Sequence, residues 1–218
     1  MKTILLIALF LILIAVSCDN PVDPNNNPPD EIENAIWPFH EGSFWEYDVW
    51  EIVSGEEYNY FEKYRVVDIF AHNEKRVAEI EFSKYTEDTV FAAFTFWWGN
   101  TTSGLYEYAP FDESFSAFDL PRLLFKYPAE DMDSFLTYSW DFANPFTMFY
   151  FDMGIPIVSV PAGDFEACVG YQLYYQTGHE PPIDNYYYFK PDTGYISYEK
   201  YEAGSPSKTR LLKDFLIS

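Results

Sequence analysis

Basic residues are scarce in this chain. Thirteen Lys and Arg stand against 35 Asp and Glu, a formal net charge of −22 with histidine neutral. Nucleic-acid binding rests on neutralising phosphates with Lys and Arg, so a domain this acidic is a poor candidate and no nucleic-acid partner is expected. Anionic lipid surfaces would repel it. The acidic side chains are interspersed with aromatics rather than run together, which reads as a solvated face that maintains solubility; a cation-binding role has no motif behind it. Histidine is scarce too: His40, His72 and His179 are scattered, each in or beside a turn signal. A three-ligand zinc site would have to be assembled wholly by the fold. The chain has no G-x-S-x-G elbow, no H-E-x-x-H pair and no EF-hand loop. No catalytic residue, metal ligand or cofactor is assigned, and the chain reads as more binding than enzymatic.

Long apolar runs are missing after residue 17. The one run present, MKTILLIALFLILIAVS, has a single positive side chain, Lys2, before an unbroken stretch from Ile4 to Val16. A membrane-spanning helix needs about 20 such residues, so the run fits a signal-peptide core rather than a span. Small residues, Ala15 and Ser17, precede Cys18. The sequence Ile14-Ala15-Val16-Ser17-Cys18 resembles a bacterial lipobox, without the Leu that commonly stands three residues before the cysteine. The resemblance implies a diacylglyceryl thioether on Cys18, cleavage before it, and acylation of the new amino group. Each buried acyl CH₂ contributes about 0.8 kcal/mol, and two or three chains on one residue supply a stable anchor. The expected partner is therefore a membrane, reached through the N-terminal lipid. The location is the cell envelope, with the outer membrane favoured over the inner. Losing residues 1 to 17 removes Lys2 and no acid, so the remaining chain carries 12 basic against 35 acidic residues, −23. With Cys18 lipidated, Cys168 has no disulfide partner. Its neighbours Glu166, Ala167 and Val169 make it a small packed side chain rather than a nucleophile.

Aromatic side chains are abundant: 6 Trp, 19 Tyr and 21 Phe among 218 residues. Each buries about 150–250 Å², so a core is easily built. Tyr and Phe also favour the pleated, half-buried surface of a strand. Residues 19 to 36, DNPVDPNNNPPDEIENAI, are dense in Pro, Asn and Asp and read as a disordered tether. The organisation expected is a signal peptide over 1–17, an acylated tether over 18–36 and one β-rich domain over 37–218.

From Trp37 onward the pattern alternates. In FWEYDVWEIV, Trp45, Tyr47, Val49 and Val53 oppose Glu46 and Asp48. In KRVAEIEFSKY, Ala78, Ile80 and Phe82 oppose Glu79, Glu81 and Ser83. Eight further strand candidates are YNYFEKYRVVDIF, DTVFAAFTFWW, GLYEYAP, FTMFYFDMGI, ACVGYQLYYQT, NYYYFKP, GYISYEKYEA and RLLKDFLIS. Turn signals punctuate them at Ser54-Gly55, His72-Asn73, Gly99-Asn100, Gly178, Pro181-Pro182 and Asp192-Thr193-Gly194. The best helical candidate is the short DLPRLLFKYP region, 119 to 128. The fold class predicted is all-β, a strongly curved antiparallel sheet or partly closed barrel, with a two-sheet sandwich as the alternative.

Three stretches carry a family resemblance. WPFHEGSFWEY (37–47) resembles the opening of a group of bacterial lipoproteins of unknown activity, VPAGDFEAC (160–168) resembles a later segment of the same group, and YYYFKPDTGYISYEKY (186–201) is similar to its closing hairpin. The resemblance covers most of residues 37 to 201, except 86 to 150 beyond LLFKYP. It implies a β-rich exported lipoprotein and supplies no activity.

Trp97 and Trp98, ending a strand, are the candidate ligand-binding residues. Adjacent side chains on a strand point to opposite faces, so one of the two rings is available to stack on a sugar or line an apolar cavity. Two function classes follow. One is a binding module for an apolar or glycan ligand, which needs an open aromatic-lined face. The other is a structural or partner-interaction lipoprotein, which needs a filled interior. A glycoside hydrolase is a distant third and would need a carboxylate pair in a cleft.

Overall fold

The computed structural model describes residues 28–33, 35–109, 121–138, 145–151, 157–175 and 182–218. The leader over 1–17, Cys18, the first part of the proline-rich stretch and His179 lie outside them. The described residues form fourteen strands and no helix. Twelve strands make one antiparallel sheet. Strands β1 (Phe44–Val53), β2 (Glu56–His72), β3 (Lys75–Tyr85), β4 (Val90–Thr101), β5 (Gly104–Ala109) and β6 (Arg122–Lys126) follow one another as a meander. On the other side of β1 lie, in spatial order, β14 (Ser205–Leu216), β13 (Gly194–Glu202), β12 (Ile183–Lys190), β11 (Val169–Tyr175), β8 (Pro145–Phe151) and β7 (Ser134–Tyr138). Two short strands, β9 (Ile157–Val160) and β10 (Gly163–Glu166), form a separate hairpin.

The sheet curls until its edges, β6 and β7, lie side by side. No backbone ladder joins them. The Thr137 hydroxyl lies 3.0 Å from the Leu123 carbonyl oxygen and 2.8 Å from that of Leu124. The Tyr171 hydroxyl donates to the Lys126 carbonyl at 2.7 Å, and Lys126 pairs with Asp133 at 2.7 Å. The architecture is a partly closed barrel built from one sheet, not a sandwich. Side chains, rather than a twelfth strand pairing, hold the seam.

Alternation decides which face is buried. Trp45, Tyr47 and Val49 are buried along β1, and Ala78, Ile80 and Phe82 along β3. Val53 departs from the expected inward set and is 48% exposed, because it abuts the hairpin tip. Ser54 and Gly55 both have positive φ there, as do Ala203 and Gly204 between β13 and β14, matching the two-residue turns that suit the right-handed twist of a hairpin. The helix expected around 119–128 is replaced by β6 over Arg122–Lys126. Pro121 and Pro128 bracket a run too short to repay helix nucleation, and the residue before a proline is pushed towards extended backbone.

The interior is plugged from the N-terminal side. Ile36, Trp37 and Phe39 are 1%, 2% and 4% exposed. Trp37 touches the rings of Trp45, Tyr64, Trp98, Phe189 and Tyr195, which come from β1, β2, β4, β12 and β13, at centroid distances of 5.2–6.1 Å. Alternate carbonyls of this strap, residues 28–33 and 35–39, are held from three places around the mouth. The Asp192 N–H donates to Ala35 at 2.9 Å, Asn100 Nδ2 to Trp37 at 2.6 Å and Arg76 Nη2 to Phe39 at 3.4 Å. Gly194, with φ +107°, turns the chain against the indole. A Cβ there would stand 2.5 Å from Trp37 Cδ1, closer than carbon atoms approach, so only glycine fits. The β9–β10 hairpin, which carries the Val160-Pro161-Ala162-Gly163 sequence, docks on β13 and β14. The Ala162 N–H donates to the Leu212 carbonyl at 3.0 Å, beside a bulge in β14.

Candidate functional site

The two tryptophans singled out in the sequence face opposite ways. Trp98 is 4% exposed and belongs to the interior, with its ring 4.4 Å from Phe96 and 5.2 Å from Trp37. Trp97 lies half-buried on the other face, edge-on to Phe70 at 4.8 Å and 5.5 Å from His72; its indole N–H donates to Glu79 at 3.4 Å. The pair therefore does not form a common platform.

The interior has a second layer that the sequence reading missed. Glu62, on β2, is fully buried. Arg210 contacts its carboxylate directly, and the ammonium groups of Lys84 and Lys208 each lie 3.6 Å away. Lys208 also reaches Glu51 at 3.4 Å and donates to the Tyr60 hydroxyl at 2.9 Å, while that hydroxyl donates to Glu51 at 2.6 Å. The Arg210 guanidinium sits 5.5–6.0 Å from the ring centres of Tyr47, Tyr64, Tyr195 and Tyr198, within cation–π range. Burial pushes the Tyr60 hydroxyl far above its ordinary range, and the neighbouring Glu62 and Glu51 carboxylates add to the shift. Burial also pulls the Lys208 ammonium down, with the like charge of Arg210 acting the same way. The signal for this layer was present as register. Tyr60, Glu62, Tyr64 and Val66 alternate on one face of β2, so a carboxylate stands among inward-facing rings; Lys208, Arg210 and Leu212 repeat the pattern on β14.

A trough runs along the strap at the opposite end of the interior. It has two lobes, with cavity volumes of about 200 Å³ and about 320 Å³. Ile32, Asn100, Thr101 and Thr102 line both lobes, so the strap and the β4–β5 turn divide one depression. The larger lobe is mainly apolar, with Ile36, Tyr127 and Pro128 in its wall. The smaller is more polar and includes Asp30, Glu31, Glu74, Lys75 and Arg76; Glu31 pairs with His40 at 3.2 Å. The Asn100 side chain has its orientation fixed, because the atom 2.6 Å from the Trp37 carbonyl oxygen must be the donor. Its Oδ1 is therefore an acceptor, buried and without a partner among the described residues.

Two reactive-looking side chains are accounted for by packing. Cys168 is partly buried against the core; its thiol donates to the Phe165 carbonyl at 3.5 Å, and burial raises its pKa, the opposite of an activated nucleophile. Glu107 is 7% exposed, and burial lifts its carboxyl to about 7, against the lowering effects of the Arg122 charge and of the nearby Trp98 indole. Between the unfolded value near 4.5 and about 7 the folded state keeps this proton while the unfolded chain has released it. The folded state then binds more protons, so stability from this group falls as pH rises through that window, by on the order of 3 kcal/mol in full. Glu107→Gln abolishes that component. Urea unfolding at pH 5 and pH 7.5 should show a smaller fall in stability for the variant than for the wild type; equal falls would refute the burial of this carboxyl.

Comparison with known proteins places the architecture and nothing more. No family model matches the chain, and no curated protein matches it. A Bacteroides fragilis protein described as exported and as having a YmcC-like fold matches with a TM-score of 0.52 at 14% identity, over 83% of this chain and 98% of that one. A Parabacteroides distasonis protein described as a lipoprotein has a TM-score of 0.49 at 15% identity, over 86% of this chain and 100% of its own. At 14% identity the first likeness is one of fold, and the fold it shares is this curled antiparallel sheet.

Proposed function

We propose that the chain is a lipid-anchored protein of the bacterial cell envelope whose β-domain works by non-catalytic binding at its surface rather than by carrying cargo inside. The observation that carries this reading is Trp37. The residue that an empty barrel would replace with ligand is supplied by the chain itself, in ring contact with five strands. The Glu62–Arg210 layer fills the space towards the other end. A structural neighbour described as exported supports the envelope setting, and Cys18 after its apolar run supports the anchor. The described part of the strap begins at Pro28, ten residues after Cys18 in the sequence, so the trough is lined by the described residues nearest the anchor in sequence. The outer membrane is the favoured location.

A filled interior also suits the structural, partner-binding reading, and Trp97 with Phe70 and His72 is the aromatic surface such a partner would use. Growth with an alkyne-bearing palmitate tests the anchor: the wild-type chain takes up label and Cys18→Ser does not, whereas an unlabelled wild type overturns it. Solvent extraction of the purified protein tests the interior. No stoichiometric lipid beyond the covalent anchor is expected, and one equivalent of extractable lipid would overturn the surface reading.

A further inference from the structure

We infer that the trough between the strap and the β4–β5 turn is a binding site for a neutral saccharide. This deepens the surface-binding reading and rests on it. Asn100, which lines both lobes, holds one fixed, buried acceptor, Oδ1, that has no partner among the described residues. An unpaired buried acceptor costs about 1–3 kcal/mol, so a ligand that donates to it gains what the empty protein forgoes. Thr102 lines both lobes beside it, with a hydroxyl that both donates and accepts, while the Thr101 hydroxyl is engaged within the β4–β5 turn, accepting from the Ser103 N–H at 3.1 Å. The larger lobe presents Ile36, Tyr127 and Pro128, an apolar wall suited to the C–H face of a sugar ring. A fatty chain would leave Asn100 Oδ1 unsatisfied. An anion would meet Asp30, Glu31 and Glu74, which outnumber Lys75 and Arg76. A ring with an apolar face and a hydroxyl edge satisfies both walls. The two lobes share residues on either side of the strap, so the site accommodates two linked units, one per lobe.

The test uses the full acylated chain in lauryldimethylamine oxide, a detergent without a sugar headgroup. Cellobiose, maltose and N,N′-diacetylchitobiose are titrated by saturation-transfer NMR and calorimetry, with digalacturonate as the anionic comparison. At least one neutral disaccharide is expected to bind. Asn100→Ala should weaken it about tenfold, the worth of one buried hydrogen bond. Because Asn100 also holds the strap, Ile32→Trp serves as the second variant; it fills the shared part of both lobes from the strap side and should abolish binding with the thermal midpoint unchanged. No binding of any neutral disaccharide at millimolar concentration overturns the inference, as does binding that survives Ile32→Trp or a preference for digalacturonate. These outcomes leave the palmitate and lipid-extraction results untouched, so this site can fail while the anchored, filled domain stands.

Discussion

Trp37→Ala should lower the unfolding free energy by about 3–5 kcal/mol, the range for truncating a fully buried Trp or Phe. The expectation is at the upper end because collapse around the vacated space is obstructed. Trp37 is 2% exposed and its neighbours are themselves large rings fixed on five strands. Trp45 is held by its indole N–H donating to the Thr193 carbonyl at 2.7 Å, and Tyr47 by its hydroxyl donating to the Tyr195 carbonyl at 2.9 Å. Neither can swing inward without breaking its hydrogen bond. Trp97→Ala is the matched control, since that ring is half-buried on the other face, and should cost less than half as much. Chemical denaturation of both variants checks the pair. Equal losses would mean that the strap contributes no more than an ordinary surface aromatic, and the plugged interior would have to be given up. Trp37→Phe should recover part of the loss: the phenyl group fills some of the volume, and the indole N–H it removes has no hydrogen-bond partner among the described residues.

The role of Trp37 also shows where a single sequence stops being legible. The all-β class was readable because alternation is a local signal: β1 and β3 place their apolar sets inward as residue-to-residue spacing requires. Closure was partly readable, as curvature, but the seam was not. Thr137 at the β6–β7 edge looks like any strand threonine until Leu123 and Leu124 arrive beside it from another part of the chain. The strands β7, β9 and β10 escaped detection because each is only four or five residues long, too short for alternation to stand out. Ala35 and Ile36 lie in a stretch whose Pro, Asn and Asp content reads as tether, yet they are 4% and 1% exposed. Composition averages over a window, whereas burial here is decided by two residues at its end. Trp98 shows the converse. Its strand position was legible and its opposite facing to Trp97 followed from pleat geometry, but which ring entered the core depended on strands distant in sequence. The trough depends on Asn100 meeting the strap across 63 positions, a contact that no spacing rule reaches.

Glu62 and Arg210 should prove costly to separate and cheap to remove together. Glu62→Met alone leaves the guanidinium in a ring of four tyrosines without its counter-charge, and Arg210→Met alone leaves a fully buried carboxylate facing only two ammonium groups at 3.6 Å. Breaking a buried ion pair from one side costs about 3–5 kcal/mol, because the surviving charge keeps its desolvation penalty and loses its compensation. The double variant keeps neither charge, and two flexible thioether side chains can fill the volume among Tyr47, Tyr64 and Tyr195. It should be within about 1–2 kcal/mol of the wild type, in line with buried pairs whose replacement by apolar groups is neutral or better. Lys208 retains Glu51 at 3.4 Å in every variant, so the cycle isolates one pair rather than dissolving the layer. The readout is the coupling energy from urea unfolding of all four proteins. A large favourable coupling identifies the pair as a mutual neutraliser inside a filled barrel. Additive losses would show instead that Arg210 is held by its tyrosine ring and Glu62 by the two lysines, and that the ionic layer stabilises the fold through several independent contacts.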